Sequence, residues 1–464
     1  MFAPDTYKKR RDELRKLLPD GIIFFPGNAE VPFNYPANTY TYRQDSTFMY
    51  YFGLQEPGLT AVMDINEGSE CLFGDDSTMD DIIWMGQQPV MSDKAAAIKI
   101  DKTQPYSALA GVLQKAQQQG RTIHFLPPYR AETKIHLWEL LGILPAQQKE
   151  KASVSLIKAV VKMRTLKEPQ EIEQIEAAID TSYRMHTYIM KHVRAGMVER
   201  ELVGAIEGIA SANGGPVSFP VILSINGQIL HNHSHGNTMR DGQLLITDAG
   251  AETTMGYAGD ITRTAPVSGR FDARQKAIYN TVLQANLKVI EMSRPGIFYR
   301  EVHLAAARVI ADGLKDAGIM RGNMDDAVAQ GAHALFFPHG LGHAMGLDVH
   351  DMENLGENYV GYDDTISRST QFGLASLRFG RKLEPGLVLT DEPGIYFIPA
   401  LIDQWEGEKK FAESINYDAL KAYRNFGGIR IEDDILVTEN GCLVLGRPIP
   451  KTVAEIEGMR EDLK

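Results

Sequence analysis

Four carboxylates stand inside or beside apolar, strand-like runs in the second half of the chain. They are Asp248 in TDAG, Asp260 in GDITRT, Glu392 in TDEPGIY and Glu432 in GGIRIEDD. Taking a lone carboxylate out of water is costly, so each must be paired, hydrogen-bonded or bound to a metal. Taken singly, an Asp beside a Gly is most often a turn former or a helix cap. Four such sites in one half of the chain indicate instead that they share a cation.

Imidazole groups that would complete such a site are concentrated in two short stretches. Six of the twelve histidines lie in ILHNHSH, which begins at Ile229, and in FPHGLGHAMGLDVH, which ends at His350. Carboxylate oxygens combined with an imidazole suit Mn²⁺, Fe²⁺, Co²⁺ or Zn²⁺ better than Mg²⁺, which tends to keep its waters. Since four carboxylates would over-neutralise one divalent ion, two metal ions that share carboxylates fit the set better.

Signatures of other hydrolases and of nucleotide binding are missing from the sequence. His339 and His343 are four residues apart, but Gly340 and Gly342 between them predict a loop or bulged strand rather than a helix. No Glu follows His339, as the helical zinc-protease motif requires, and neither a GxSxG elbow nor a GxxxxGK[ST] loop occurs. These absences oppose a helical zinc protease, a hydrolase with a GxSxG serine and a nucleotide-binding protein.

Composition and charge exclude several classes of partner. The 464 residues are 44% hydrophobic and 23% charged, as in folded globular proteins, and the net charge of −12 opposes a nucleic-acid groove or an anionic membrane surface. Two cysteines, Cys71 and Cys442, are too few for a disulfide framework. The first residues are charged throughout, and no run approaches the ~20 apolar residues of a membrane span. We expect a cytoplasmic protein that acts on small substrates, with no nucleic-acid and no membrane partner.

The length predicts two domains. Short apolar runs at 48–52, 59–62 and 123–126 predict strands that alternate with helical stretches, as in an α/β domain. A long helix is predicted that opens with Lys167-Glu168-Pro169 and continues through His192. The rest predicts an α+β domain, with helices at 199–213, 273–292 and 300–317 and strands at 244–247, 388–389 and 435–437. We place the boundary near Leu166, which gives domains at 1–165 and 166–464.

Taken together, these motifs resemble those of the pita-bread metallopeptidases, specifically the Xaa-Pro peptidases, prolidase and aminopeptidase P. In the second half of the chain the resemblance rests on ILH, DAG, GDITRT, HGLGH, LDVHD, EPGIY and GIRIEDD, in the order of that family. In the first half, YRQDSTFMYYFGLQEPG and IIWMG resemble the creatinase-like first domain of the same enzymes. The resemblance implies an α+β protein with a creatinase-like α/β domain at 1–165 and a pita-bread catalytic domain at 166–464.

A binding site for two divalent metal ions is also implied by the resemblance. Mn²⁺ is the first expectation, with Co²⁺, Zn²⁺ or Fe²⁺ as alternatives. The implied ligands are Asp248, Asp260, His343, Glu392 and Glu432. Asp260 and Glu432 would bridge the ions, and Glu392 would also carry a proton from the attacking water to the leaving nitrogen.

Other matched residues are implied to act on the substrate. His339 and His350 would steady the tetrahedral intermediate and bind substrate, and His231 would be a third pocket histidine. Arg430 matches a position near the proline side of the site, or else is a structural partner of neighbouring carboxylates. His233 and His235 match nothing, so we predict them to be solvated loop residues.

One arginine separates the two branches of the resemblance. Arg378 lies fourteen residues before Glu392, in GLASLRFGRKLEPG, where the prolidase branch has an arginine that binds the free carboxylate of a dipeptide. The insert at 397–426 is also prolidase-like. We therefore favour an Xaa-Pro dipeptidase, with an Xaa-Pro aminopeptidase acting on longer peptides as the alternative. The substrates would be proline-containing di- or oligopeptides, and a homodimer or higher homo-oligomer is expected.

Two departures and two rival classes remain. Asp248 and Asp260 are twelve residues apart, one more than usual in the family, which a bulge or a longer hairpin loop would absorb. Asp391 stands beside Glu392, and strand alternation predicts that it points away from the metals. A creatinase-type hydrolase and a non-enzymatic pita-bread binding module are the rivals, and the complete set of five ligands opposes both.

Overall fold

The computed structural model describes residues 1–460, which form two compact units. The first unit is Met1–Arg164 with Met352–Tyr359, and the second is Thr165–Asp351 with the chain from Val360 onward. Both units contain helices and strands, which confirms the predicted α+β class. Among the described residues, no helix is both long enough and apolar enough to cross a bilayer.

A mixed sheet forms the centre of the first unit, with the strand order β6-β5-β4-β1-β7. Its strands, and the separate hairpin β2-β3, are β1 (Ile22–Pro26), β2 (Pro32–Tyr35), β3 (Asn38–Thr39), β4 (Thr60–Asp64), β5 (Ser69–Phe73), β6 (Thr103–Gln104) and β7 (Ile123–His124). The helices are α1 (Pro4–Lys16), α2 (Ser46–Phe52), α3 (Met79–Met85), α4 (Met91–Ala96), α5 (Leu109–Gln118), α6 (Ala131–Leu141), α7 (Gln148–Lys151) and α8 (Val154–Arg164). The parallel pairs β1·β7 and β5·β6 and the antiparallel strand β4 between them agree with the predicted α/β character.

The strand predicted at 48–52 is wrong, because this run lies in helix α2. The Asp45 side chain accepts a hydrogen bond from Phe48 N and caps the start of the helix. Gly53 ends it in the left-handed conformation, with φ 66°. All residues of α2 are buried, so the helix is apolar on every side and shows no helical periodicity.

Long helices and short strands build the second unit. The helices after residue 165 are α9 (Pro169–His192), α10 (Glu199–Ala212), α11 (Ala273–Met292), α12 (Tyr299–Asp316), α13 (Met324–Gln330), α14 (Glu357–Val360), α15 (Pro399–Gly407), α16 (Tyr417–Leu420) and α17 (Val453–Gly458). The strands are β8 (Ile222–Ser224), β9 (Leu244–Asp248), β10 (Thr262–Pro266), β11 (Val388–Asp391), β12 (Gly394–Tyr396), β13 (Gly428–Arg430), β14 (Asp433–Val437) and β15 (Cys442–Val444). Apolar side chains of α9, α10, β8 and β9 pack into one core cluster behind the strand that carries Asp248.

The hairpin between β9 and β10 absorbs the extra residue between the two aspartates. Asp248 pairs with Thr262, and the isolated bridge between Glu252 and Ala258 continues the same antiparallel register. The extra residue therefore lies in the turn beyond that bridge, and the arms contain no bulge. Both aspartates consequently keep the strand alternation that puts them on one face.

Candidate functional site

Short strand contacts bring the five predicted ligands together from distant parts of the second unit. Glu432 N donates to Thr262 O across an isolated bridge, which places the start of β14 beside the start of β10. The loop of His343 is held against β11, because His343 N donates to Thr390 Oγ1 and Thr390 N donates to His343 O. Glu392 directly follows β11.

Several ligand atoms of the cluster lie close enough together to share a metal ion. Asp260, His343 and Glu432 each offer a ligand atom that lies within 4.8 Å of the others. His343 Nε2 lies 3.4 Å from Asp260 Oδ2 and 3.8 Å from Glu392 Oε1. Asp248 lines the same cavity. The five residues that the sequence predicts as ligands thus surround one space.

The residues fit divalent cations by their charge and by their unused oxygen atoms. Within the described chain, Oδ1 of Asp248 and Oδ1 of Asp260 are buried without a hydrogen-bond partner. Burial, followed by the charge of Asp248, raises the pKa of Asp260 well above its usual range. Burial likewise raises the pKa of Glu392 to about 8, against the opposing effect of Arg430. Hard oxygen donors that repel one another are stabilised by a shared cation, so the set fits two divalent ions.

Arg430 connects Asp248 to His339 through Tyr396. Its Nη2 lies 2.5 Å from Asp248 Oδ2, and its Nη1 donates to Tyr396 Oη at 2.8 Å. His339 Nδ1 is 2.8 Å from Gly340 O, which can only accept, so the proton of the neutral ring is on Nδ1. Nε2 therefore accepts from Tyr396 Oη at 2.9 Å. Burial lowers the pKa of His339 to about 3, which keeps the ring neutral near neutral pH.

A cavity of about 530 Å³ opens onto the cluster and is lined by every residue that the sequence predicts for the site. These residues are His231, Asp248, Asp260, His339, His343, His350, Arg378, Glu392, Arg430 and Glu432. The rings of His343 and His350 lie 4.1 Å apart between centroids. Apolar side chains, including Phe219, Ile222 and Leu230, form part of the wall.

One histidine prediction needs correction. His233 is exposed, as predicted, yet it also lines the cavity beside His231. His235 is partly buried and its Nδ1 lies 3.0 Å from Leu223 O, so it is held to β8 rather than solvated. Loop residues carry no periodicity from which such placements follow, since only the fold of the loop decides them.

Strand alternation correctly predicts the direction of Asp391. Its Oδ2 accepts from Asn286 Nδ2 on helix α11 at 2.9 Å, on the face opposite Glu392. Sequence reasoning missed Tyr396 and the two threonines Thr262 and Thr390 as supports of the site. Thr262 Oγ1 donates to Glu432 Oε2 at 2.6 Å, and Thr390 Oγ1 lies 3.4 Å from Glu392 Oε1. Each of the three stands in one of the motifs quoted above. A hydroxyl in such an apolar run must find a hydrogen-bond partner, and the neighbouring ligand was the obvious candidate.

Comparison with known families divides the chain in the same order as the two units. The family model described as metallopeptidase family M24 matches residues 173–439. The model described as the aminopeptidase P N-terminal domain matches residues 7–124.

Individual relatives belong to both branches. The chain is 33% identical over 426 residues to the Xaa-Pro dipeptidase of Homo sapiens. The aligned region covers 90% of this chain and 84% of the human protein. It is 33% identical over 451 residues to the Xaa-Pro aminopeptidase of Escherichia coli strain K12, with 94% of each covered. The solved structure of zinc-substituted E. coli aminopeptidase P in complex with product matches with a TM-score of 0.81 at 30% identity, over 100% of this chain and 99% of that one.

Proposed function

Because the chain belongs to metallopeptidase family M24, we propose that it hydrolyses the Xaa-Pro bond of dipeptides with two divalent metal ions. The observation that carries the choice of dipeptides is the position of Arg378, which lines the same cavity as the five ligands. A guanidinium there pairs with the free carboxylate that directly follows the proline ring of a dipeptide. The likeness to the human Xaa-Pro dipeptidase supports this reading.

Asp248, Asp260, His343, Glu392 and Glu432 would hold the ions. Bound there, two metal ions supply an activated water and polarise the scissile carbonyl. We propose Mn²⁺ as the first candidate for the native metal, with Co²⁺, Zn²⁺ or Fe²⁺ as alternatives, because the mixed carboxylate and imidazole donor set suits all four. Within the described residues, Asp260, His343 and Glu432 of this set are the metal-binding side chains that lie close enough together to share an ion.

The protein's own groups then position the substrate and move the proton. Glu392 takes a proton from the attacking water and delivers it to the prolyl nitrogen, which must be protonated before it can leave. Its Oε2 lies 3.8 Å from His339 Nδ1, on the cavity wall. His231 and His350 line the cavity and bind the peptide, and His350 donates to the oxygen of the tetrahedral intermediate.

A dedicated pocket is needed because of the chemistry of proline. An Xaa-Pro bond has no N–H and a fixed φ, so an enzyme that binds extended backbone through its N–H groups does not position it. The cavity instead offers a rigid wall, in which Arg430 and Tyr396 hold His339.

The second candidate function is that of an Xaa-Pro aminopeptidase, which releases the residue before proline from longer peptides. The 94% mutual coverage with the E. coli Xaa-Pro aminopeptidase and the structural match to aminopeptidase P favour it. In that case Arg378 has no free substrate carboxylate to bind, and its role is to anchor its own loop.

Hydrolysis of Gly-Pro beside Gly-Pro-Ala, with Mn²⁺ and with a chelator, tests the proposal. We expect metal-dependent cleavage of Gly-Pro, and an increase of about tenfold to hundredfold in KM for Arg378→Ala, the value of a charged hydrogen-bonded pair. Arg447→Ala is the matched control, because Arg447 stacks on Tyr183 away from the cavity. Preference for the tripeptide that does not depend on Arg378 would establish the aminopeptidase instead.

We also propose a cytoplasmic location, a homo-oligomeric state and domains at 1–165 and 166–464. Free Cys71 and Cys442 suit a reducing compartment. The exposed apolar side chains of α3 support self-association, since Trp84 is 82% and Met85 75% exposed. Molecular mass by light scattering of the wild type and of Trp84→Ser tests the oligomer.

A further inference from the structure

The segment that carries Arg378 presents one side chain to the cavity and buries its neighbours. Leu377 and Phe379 are fully buried, whereas Arg378 is half-buried and lines the cavity. The two flanking side chains therefore anchor the segment in the core and direct the guanidinium toward the ligands.

Two glycines allow other backbone segments to approach this segment very closely. A Cβ atom at Gly340, in the loop between His339 and His343, would lie 2.7 Å from Leu377 Cα. A Cβ atom at Gly361 would lie only 1.9 Å from Arg378 O. A side chain at Gly340 would displace the backbone of Leu377, and one at Gly361 would displace that of Arg378, so the segment is confined from both directions.

Tyr362 adds a directed hydrogen bond to this confinement. The residue is 5% exposed, and its hydroxyl donates to Leu377 O at 2.6 Å. Its ring lies against Gly380, where a Cβ atom would be 2.8 Å from Tyr362 Cε1. Gly361 O accepts from the backbone N of both Gly380 and Arg381, at 2.8 and 3.0 Å. Residues 361–362 thus hold the backbone on both sides of Arg378.

We propose that Tyr362 is a positioning residue that fixes Arg378 where it meets the free carboxylate of a dipeptide, so that residues 361–362 set the preference of the enzyme for dipeptides over longer peptides. This inference rests on the proposed dipeptidase function. A bidentate guanidinium–carboxylate pair tolerates only small displacements, on the order of 0.5 Å, before one of its two hydrogen bonds is lost. Loosening the carbonyl that precedes Arg378 therefore weakens binding of the dipeptide and leaves the reacting atoms in place.

Tyr362→Phe tests the proposal because it removes the hydroxyl and keeps the ring. We expect KM for Gly-Pro to rise about fivefold, the value of one hydrogen bond, with kcat within about twofold of wild type. Hydrolysis of Gly-Pro-Ala, which has no carboxylate at that distance, stays unchanged. In an Arg378→Ala background the same substitution has no further effect on KM, because the two residues act as one unit.

Tyr417→Phe is the matched control, since its hydroxyl also donates to a backbone carbonyl, Lys410 O, at 2.6 Å, and it does not line the cavity. It should lower thermal stability to a similar extent and leave KM unchanged. An unchanged KM in Tyr362→Phe, or an equal rise in the Arg378→Ala background, overturns the inference while the dipeptidase proposal stands. Both the inference and the dipeptidase proposal are overturned if the wild type does not cleave Gly-Pro. They are also overturned if the Arg378→Ala variant cleaves Gly-Pro with an unchanged KM.

Discussion

Removal of the Arg430 guanidinium tests how the charge of the site is balanced. Arg430 is 4% exposed and donates to Asp248, Tyr396 and Thr262 at 2.5, 2.8 and 3.0 Å. Arg430→Met keeps much of the side-chain volume but leaves the buried carboxylate of Asp248 without its cation. Breaking a buried pair in this way costs about 3–5 kcal/mol.

That cost should depend on the metal. For a unit of this size, 1 kcal/mol changes Tm by about 2 °C, so the metal-free variant should melt about 6–10 °C below the wild type. A divalent ion beside Asp248 replaces the lost positive charge, so saturation with Mn²⁺ should recover part of the difference. The increase in Tm on adding Mn²⁺ should therefore be larger for the variant than for the wild type.

Differential scanning calorimetry with a chelator and with excess Mn²⁺ measures both quantities. Arg424→Met is the matched control, because Arg424 pairs with Asp403 at the surface, with side chains 41% and 55% exposed. An exposed pair contributes about 0–1 kcal/mol, so this control should lose at most a few degrees and show no dependence on metal. Equal losses of Tm with and without Mn²⁺ in Arg430→Met would refute the reasoning.

Two further predictions concern the ligands and two buried histidines. Asp260→Asn and Glu432→Gln should abolish hydrolysis and reduce the bound metal measured by mass spectrometry. The fold should be retained, because each substitution removes a ligand charge at constant volume. Full activity with two bound ions would contradict the assignment. Burial lowers the pKa of His303 to about 3 and that of His333 to about 4, from 6.5. The unfolded chain therefore binds more protons in the window between 6.5 and those values, and stability should fall as the pH decreases through it. His303→Leu should make the fall of Tm between pH 6.5 and 4 shallower, and an unchanged slope would exclude this source of acid sensitivity.

Elements with one apolar face could be predicted from sequence, whereas an element buried on every side could not. Helix α9 was predicted to within two residues, because its apolar positions repeat with helical spacing and Pro169 stands at its first position. The apolar residues of helix α2 form a continuous run with no helical spacing. Such a run is found both in buried strands and in buried helices, so it does not tell them apart. The cap residues Asp45 and Gly53 mark the two ends of this helix. They identify it only if the run between them is already assumed to be helical.

The members of the site could be predicted, but the way in which they support one another could not. Each proposed ligand stands in a short string whose residue types are unusual for their apolar surroundings, so local sequence singles it out, and all five line one cavity. The hydrogen bond from Thr262 to Glu432 joins residues 170 positions apart, and no local pattern gives that pairing. The same holds for His233, which reaches the cavity only because of the path of its loop.

Strand alternation explains how one acidic run, Glu432-Asp433-Asp434, is tolerated in a buried strand. Glu432 faces the carboxylate and histidine cluster, whereas Asp433 accepts from Arg263 Nη2 and Lys451 Nζ, both at 2.6 Å, on the other face. Burial alone would raise the pKa of Asp433, but these two cations lower it below its usual range. Arg263 Nη1 also donates to Glu432 O at 2.6 Å, so the group that neutralises the rear face fixes the backbone of the ligand on the front face. The protein thus pairs Asp433 with cations behind the strand and leaves the carboxylate of Glu432 in front of it for the proposed metal ions, which is the condition for a carboxylate that is both buried and still able to bind them.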